Sequence, residues 1–476
     1  MSMVLQPDSA QLVIGLVSIA TALTTAVYGL YFARQHRTLR KPNGVSYLPA
    51  TSRLKLTVLA ILVLVAGPLV GVLGLFGIAV VSSSPAVFLG CGQGVFAAAI
   101  GGGALWLYRR ETPVHRHYWS LTTLGVGVVL STIFWAMAVP ASQPDAAPAE
   151  PVAGQQYWQL PSGSQLRFVE TPAEGPLQNA PIVFVHGGPG TPDLAGDSAY
   201  FGQLAAAGYD VYVYDEVGSG GSNRLSKVTD YTLEPDVTDL EAIRQQIHTD
   251  RMILIGHSYG ARVVAAYLAA HPDHVERVVF SSPASLDPTD PSGANITSRL
   301  DSTELKSLYS RLLGPCNLLV YGLLQVNPAA AHSLAGDAEM DAENDAVYAV
   351  TEHGLHCEGH AVAHPPTGLG FYWLQYSQSL TAPQYPDLRT ALHENPTPAL
   401  VIKGACDYLS WQSAVTYTDA FSNVALVYLQ AGHNVYQDAP VQYLDAIRAF
   451  LSDESPPAAI TATAQPPANY HDPDSE

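Results

Sequence analysis

Apolar residues run almost unbroken through four stretches of the first 140 residues, near 12–32, 56–81, 86–108 and 118–139. Each reaches the roughly 20 residues that a helix needs to cross a bilayer. None contains Asp, Glu, Lys or Arg. The pattern predicts an all-α membrane domain, 1–140, with four transmembrane helices. A cleaved signal peptide fits poorly, because no basic segment precedes the first stretch and three more follow it. The pattern then changes. Residues 141–154, rich in Ala, Pro and acid, read as a linker. From 155 to 452 short apolar runs alternate with helical segments, as in a mainly parallel sheet covered by helices. Strands are expected at 166–170, 182–185, 211–214, 252–255, 278–280, 400–402 and 426–429. The Pro-rich stretch 453–476 reads as a disordered tail.

Charge divides the chain at the same place. Residues 1–140 hold nine basic and two acidic side chains, while the rest holds 13 basic and 39 acidic, within a net charge of −19. So acidic a domain repels phosphate backbones, which argues against nucleic acid as a partner. Arg34, Arg37, Arg40, Lys41, Arg53 and Lys55 follow the first apolar stretch, and Arg109, Arg110 and Arg116 follow the third. The Ser82-Ser83-Ser84-Pro85 loop carries no charge. Basic loops stay cytoplasmic, so the acidic domain is expected outside the cytoplasm, anchored to the lipid bilayer through 1–140. Gly67, Gly71, Gly74 and Gly77, with Gly101-Gly102-Gly103, read as close helix packing.

Candidate chemistry lies in four blocks, each directly after an expected strand. They are His186-Gly187-Gly188-Pro189-Gly190, Gly256-His257-Ser258-Tyr259-Gly260, Gly404-Ala405-Cys406-Asp407 and Gly432-His433. Sites in open α/β sheets gather at the carboxyl ends of strands. The second block is a G-x-S-x-G nucleophile elbow between an apolar run and a helical pattern, the context that motif requires. Ser258 is the candidate nucleophile, His433 the base and Asp407 the acid that orients it. Asp419 and Asp438 are rival acids that follow no strand directly. Backbone N–H groups of Tyr259 and of the Gly187-Gly188 turn are candidates for an oxyanion hole. A phosphate-binding loop is excluded, since neither G-K-[ST] nor G-x-G-x-x-G is present.

The order Ser, Asp, His is that of α/β-hydrolase triads, and the blocks resemble the proline iminopeptidase family of serine peptidases. The resemblance covers about 155–452. It rests on His186-Gly187-Gly188-Pro189-Gly190 and on Tyr214-Asp215-Glu216-Val217-Gly218-Ser219-Gly220-Gly221-Ser222, similar to the family's D-x-x-G-x-G-x-S segment. It implies an α/β-hydrolase core in two parts, 155–283 and 399–452, separated by a mostly helical cap at 284–398. It also implies an acyl-enzyme on Ser258, no cofactor and a small peptide substrate. Typical members carry Gly-Gly-Ser-Trp-Gly at the elbow, and many carry Gln-Arg where this chain has Glu216-Val217. A preference for N-terminal proline is therefore open, and an esterase or lipase with the same triad, or a non-catalytic membrane sensor, remain alternatives.

In that family, cap glutamates bind the substrate's free amine, and Glu304, Glu339, Glu343, Glu352 and Glu358 are possible counterparts. The segment His353-Gly354-Leu355-His356-Cys357-Glu358-Gly359-His360 matches no hydrolytic zinc motif, and no metal is expected. Cys316 and Cys357 both fall in the cap and could pair outside the cell, although spacing alone does not fix a pairing. Cys406 reads as packing, and Cys91 lies within an apolar stretch.

Overall fold

The computed structural model describes residues 50–110, 116–138, 149–287, 296–360, 365–377, 385–461 and 463–470. Two compact units divide the chain. One is Met1–Gln143 with Leu312–Gly336, and the other is Pro144–Arg311 with Asp337–Glu476.

The first unit contains helices Ala50–Ala79, Pro85–Arg110 and Arg116–Ala138. Two segments, Val58–Ala79 and Pro85–Trp106, are long and apolar enough to cross a membrane by length and composition. Described residues thus support two spans where four were expected. The first expected stretch, 12–32, lies outside them, and the fourth has an apolar part of only Leu121–Phe134. Small residues set the helix spacing. A Cβ added at Gly71 would fall 2.7 Å from Phe96 Cβ, and one at Gly92 would fall 2.7 Å from Leu75 Cβ. Gly77, Gly101 and Gly102 face open space and take no part in that packing. Gln93 Nε2 donates to Ser131 Oγ at 2.6 Å, pairing two polar side chains among apolar ones.

The second unit is built on a nine-stranded sheet, β1 (Gln155–Gln159), β2 (Gln165–Thr171), β3 (Ile182–Val185), β4 (Val211–Tyr214), β5 (Met252–His257), β6 (Val275–Ser281), β7 (Ala399–Gly404), β8 (Val424–Leu429) and β9 (Ala459–Ile460). Their order is β1-β2-β4-β3-β5-β6-β7-β8-β9. Neighbours from β4 through β8 pair parallel, while β1–β2, β2–β4 and β8–β9 pair antiparallel. The central strands are uniform apolar runs because helices cover both faces. Ile182, Phe184, Ile253, Ile255, Leu400 and Ile402 share one core cluster with Tyr443 and Ile447 of helix Pro440–Leu451.

All seven expected strands are present, and β1 and β9 add to them. The stretch expected to be a disordered tail carries β9, and its Tyr470 is buried, with its ring against Trp411. Between β6 and β7 the chain forms helices Ser302–Leu312, Pro315–Val326, Pro328–Leu334, Asp337–Thr351, Phe371–Tyr376 and Arg389–His393. The middle of this insertion, Leu312–Gly336, belongs to the first unit.

Candidate active site

Ser258 stands between β5 and helix Tyr259–Ala270 with φ 54° and ψ −114°. A non-glycine residue at positive φ is strained and persists only where its surroundings impose it. Gly260 removes the obstacle to that turn, since a Cβ there would collide with the carbonyl oxygens of Val185 and His186. Tyr259 is the first residue of the helix, and the first four amides of any helix have no acceptor within it. Its N–H therefore adjoins the serine at the positive end of the helix dipole.

His433 Nδ1 lies 2.7 Å from Asp407 Oδ1, and both side chains are buried. An Nδ1–H donated to the carboxylate leaves Nε2 as an acceptor. Asp407 also accepts from the backbone N–H of Leu409 at 3.0 Å. Its other oxygen takes Lys403 Nζ at 2.7 Å, and Nζ continues to Leu409 O and Ser413 Oγ. Burial opposes ionisation of Asp407, but the charges of Lys403 and His433 outweigh it and hold the carboxyl well below the usual range. The rival acids stand elsewhere. Asp419 is on helix Trp411–Ala420. Asp438 binds His356 Nδ1 at 2.6 Å and accepts from the amides of Gly432 at 2.7 Å and Cys357 at 2.9 Å. It thereby fastens the turn that carries His433.

The glycine block is held by buried neutral groups. Burial pushes the His186 imidazole down to about 4, and its Nδ1–H donates to Gly187 O at 2.9 Å. Its Nε2 accepts from the backbone N–H of Glu216 at 3.0 Å. Glu216 Oε2 in turn accepts from Gly190 N at 3.2 Å, and burial pushes this carboxyl up to about 8. His257, pushed down to about 3 by burial and then by His433, is a neutral ring 4.9 Å from the His433 ring.

Ser258, His433, His257, Gly187 and Gly188 line one cavity of about 180 Å³, with Asp193, Asp197, Tyr348 and Thr351. Drug-sized ligand sites occupy about 300–1,000 Å³, so this one suits a small group. Burial raises the Asp197 carboxyl well above the usual range, and Tyr436 OH donates to it at 2.9 Å. Of the cap glutamates, Glu352 is buried beside Thr351. Glu304 meets His353 and Glu343 meets Arg311.

A disulfide joins Cys357 to Cys406, and Cys316 lies outside that bridge. This corrects the Cys316–Cys357 expectation and the reading of Cys406 as packing. Cys406 precedes Asp407, so the bridge ties the insertion to the end of β7 that leads to the expected triad acid. His353, His356 and His360 are directed to Glu304 and Asp438 and do not converge on one point. Among the described residues, Glu241, His271 and His274 group their ligand atoms within 4.8 Å. Glu241 there already carries Arg244 and the Tyr267 hydroxyl, each at 2.7 Å, so a guanidinium competes with any metal. Lys403 and the Asp438–His356 pair are site-supporting groups that pattern reading missed. The signal for Lys403 was a lone cation inside the apolar run of β7, four residues before Asp407.

The profile of the alpha/beta hydrolase fold matches residues 180–440. Over 105 residues the chain is 37% identical to a proline iminopeptidase of Heyndrickxia coagulans, covering 22% of this chain and 35% of that protein. It is 23% identical over 336 residues to a 1-acylglycerol-3-phosphate O-acyltransferase of Arabidopsis thaliana, covering 64% of this chain and 75% of that one. A crystal structure of a proline iminopeptidase of Mycobacterium smegmatis superposes with a TM-score of 0.41 and 20% identity, covering 63% of this chain and 99% of the other. The best-matching stretches thus span about a third of the length of the curated relatives that head the comparison.

Proposed function

Because the chain belongs to the alpha/beta hydrolase fold family, we propose that it is a serine hydrolase forming an acyl-enzyme on Ser258. His433 Nε2 takes the hydroxyl proton as Ser258 Oγ attacks the carbonyl carbon, and returns it to the leaving group. Asp407 holds the imidazole and offsets its charge when protonated. The N–H groups of Tyr259 and of Gly187 or Gly188 receive the oxyanion. Water then attacks the acyl group by the same route in reverse. The observation that carries this reading is the 2.7 Å bond from buried Asp407 to His433, which lines the same cavity as the strained Ser258.

The cavity lends support to one substrate class. A space of about 180 Å³ with Asp193 on its wall suits a short acyl group bearing a cationic amine. That supports an aminopeptidase of the proline iminopeptidase type, acting in a membrane-anchored form. The Cys357–Cys406 bridge supports a site outside the cytoplasm, where disulfides persist. The Gly256-His257-Ser258-Tyr259-Gly260 elbow, unlike that of typical iminopeptidases, favours a short-chain ester as the second reading.

Detergent-solubilised protein assayed on a proline amide, its N-blocked form, other aminoacyl amides and a short-chain ester separates the two. The aminopeptidase reading requires free-amine amides to be cleaved and blocked ones spared. Ester cleavage alone would replace it, and turnover that survives Ser258→Ala would remove the mechanism.

A further inference from the structure

The insertion between β6 and β7 contains a segment whose composition does not match the domain around it. Residues 312–336 form 25 consecutive positions without Asp, Glu, Lys or Arg, bounded by Arg311 and Asp337, in the acidic part of the chain. They fold as a helical hairpin, Pro315–Val326 followed by Pro328–Leu334. Helix Pro315–Val326 carries apolar side chains on its exposed face as well as its buried one, with Asn317 and Gln325 its two amide side chains. Leu319, Val320, Leu323 and Leu324 are buried, while Leu318 is 50% and Val326 41% exposed, and Leu313 before them is 62% exposed. Apolar side chains on the outward face of an uncharged helix are accommodated by protein or by lipid. At 12 residues it is about 18 Å long, too short to cross a hydrocarbon core of about 30 Å.

Its partners in the same compact unit identify the environment. A Cβ added at Gly322 would fall 2.6 Å from the Phe76 ring, so this helix lies directly on helix Ala50–Ala79. Asn327 Nδ2 donates to Ala79 O at 2.7 Å, and Asn327 Oδ1 accepts from Ala330 N. The last carbonyls of a helix have no partner within it, and in lipid such a group costs several kcal/mol unless another group bonds it. The hairpin supplies that bond at the end of the span beside the uncharged 82–84 loop. Val80 and Val81 at that end are exposed apolar side chains as well.

We propose that 312–336 is a re-entrant membrane hairpin, inserted in the cap and embedded in the lipid bilayer against helix Ala50–Ala79. It rests on reading Val58–Ala79, Pro85–Trp106 and helix Arg116–Ala138 as membrane spans, which brings the chain that follows to the side of the 82–84 loop. At its base, Arg311 and Glu343 pair at 3.3 Å, a polar boundary where the chain leaves the hydrocarbon. Helix Asp337–Thr351, which begins where the hairpin ends, supplies Tyr348 and Thr351 to the cavity.

The test is spin-label depth measurement on the full chain in lipid nanodiscs, with Cys91→Ser and Cys316→Ser as background. Labels go at Leu318→Cys and Leu313→Cys, with Leu69→Cys as the reference within the span and Asp445→Cys as the aqueous reference. The hairpin labels are expected to collide with oxygen in preference to a water-soluble nickel complex, as Leu69→Cys does. If Leu69→Cys is lipid-facing while both hairpin labels meet the nickel complex, the hairpin proposal is overturned and the spans stand. If both hairpin labels are shielded from oxygen and nickel alike, a protein partner covers them, and the proposal again fails. A water-exposed Leu69→Cys would remove the membrane reading itself.

Discussion

Lys403 Nζ and Asp407 Oδ2 lie 2.7 Å apart with both side chains fully buried, so the proposed triad acid is shared between a histidine and a lysine. Removing one partner of a buried pair strands the other charge, at a cost of about 3–5 kcal/mol. Lys403→Met is therefore expected to lower thermal stability by that order, read by calorimetry. A carboxyl held below its usual range stabilises the fold above the unfolded value of about 3.9 and loses that contribution as pH falls through the folded one. Without the lysine the folded value rises. The variant should lose kcat/KM on the acid side at higher pH than the parent, and an unchanged acid limb would show that Lys403 does not tune Asp407.

Asp438 carries no charge to substrate but accepts three hydrogen bonds around the His433 turn. Asp438→Ala leaves the Gly432 and Cys357 amides without that acceptor, at about 1–3 kcal/mol for each buried group. The expected result is a fall in kcat larger than the rise in KM, with partial recovery in Asp438→Asn. Equal effects on both parameters would assign Asp438 to substrate binding instead.

Glu216 gives a pH signature of opposite sign. Burial raises its carboxyl to about 8, so the fold favours the protonated form. Stability then falls as pH rises from the unfolded value of about 4.3 to about 8, and stays low above it. Glu216→Gln removes that titration. Melting temperatures of parent and variant should diverge across this window in favour of the variant, by about 2–4 °C per kcal/mol recovered. A constant difference from pH 5 to pH 9 would contradict a neutral Glu216.

The Cys357–Cys406 bridge closes a sequence separation of 49 residues. Disulfides typically contribute about 2–4 kcal/mol. Reduction, or Cys406→Ser, is expected to lower both melting temperature and turnover, whereas Cys316→Ser should change neither. Peptide mapping without reductant gives the pairing directly, and a 316–357 peptide would overturn it.

Much of this was legible in the chain itself. Runs such as Met252-Ile253-Leu254-Ile255 read as strands because parallel strands buried on both faces need continuous apolar sequence, and the glycine-flanked Ser258 marks its own turn. Asp407 and His433 were singled out by their position after a strand. Other features depend on tertiary placement that local pattern does not carry. Lys403 looks like an ordinary cation until β7 is seen to be central. Cys357 was matched with Cys316 by their shared stretch, whereas the fold brings it to Cys406, and Tyr470 belongs to a Pro-rich stretch whose composition suggests disorder. The hairpin was hidden by length, since a mostly apolar helix of 12 residues resembles a cap helix.

The most direct measurement is the intact mass of the protein after reaction with a fluorophosphonate, followed by peptide mapping. One adduct on Ser258, absent in Ser258→Ala and formed more slowly in His433→Ala, is the predicted result. An unmodified Ser258, or an adduct that persists in Ser258→Ala, would contradict the proposed nucleophile and the serine-hydrolase mechanism with it.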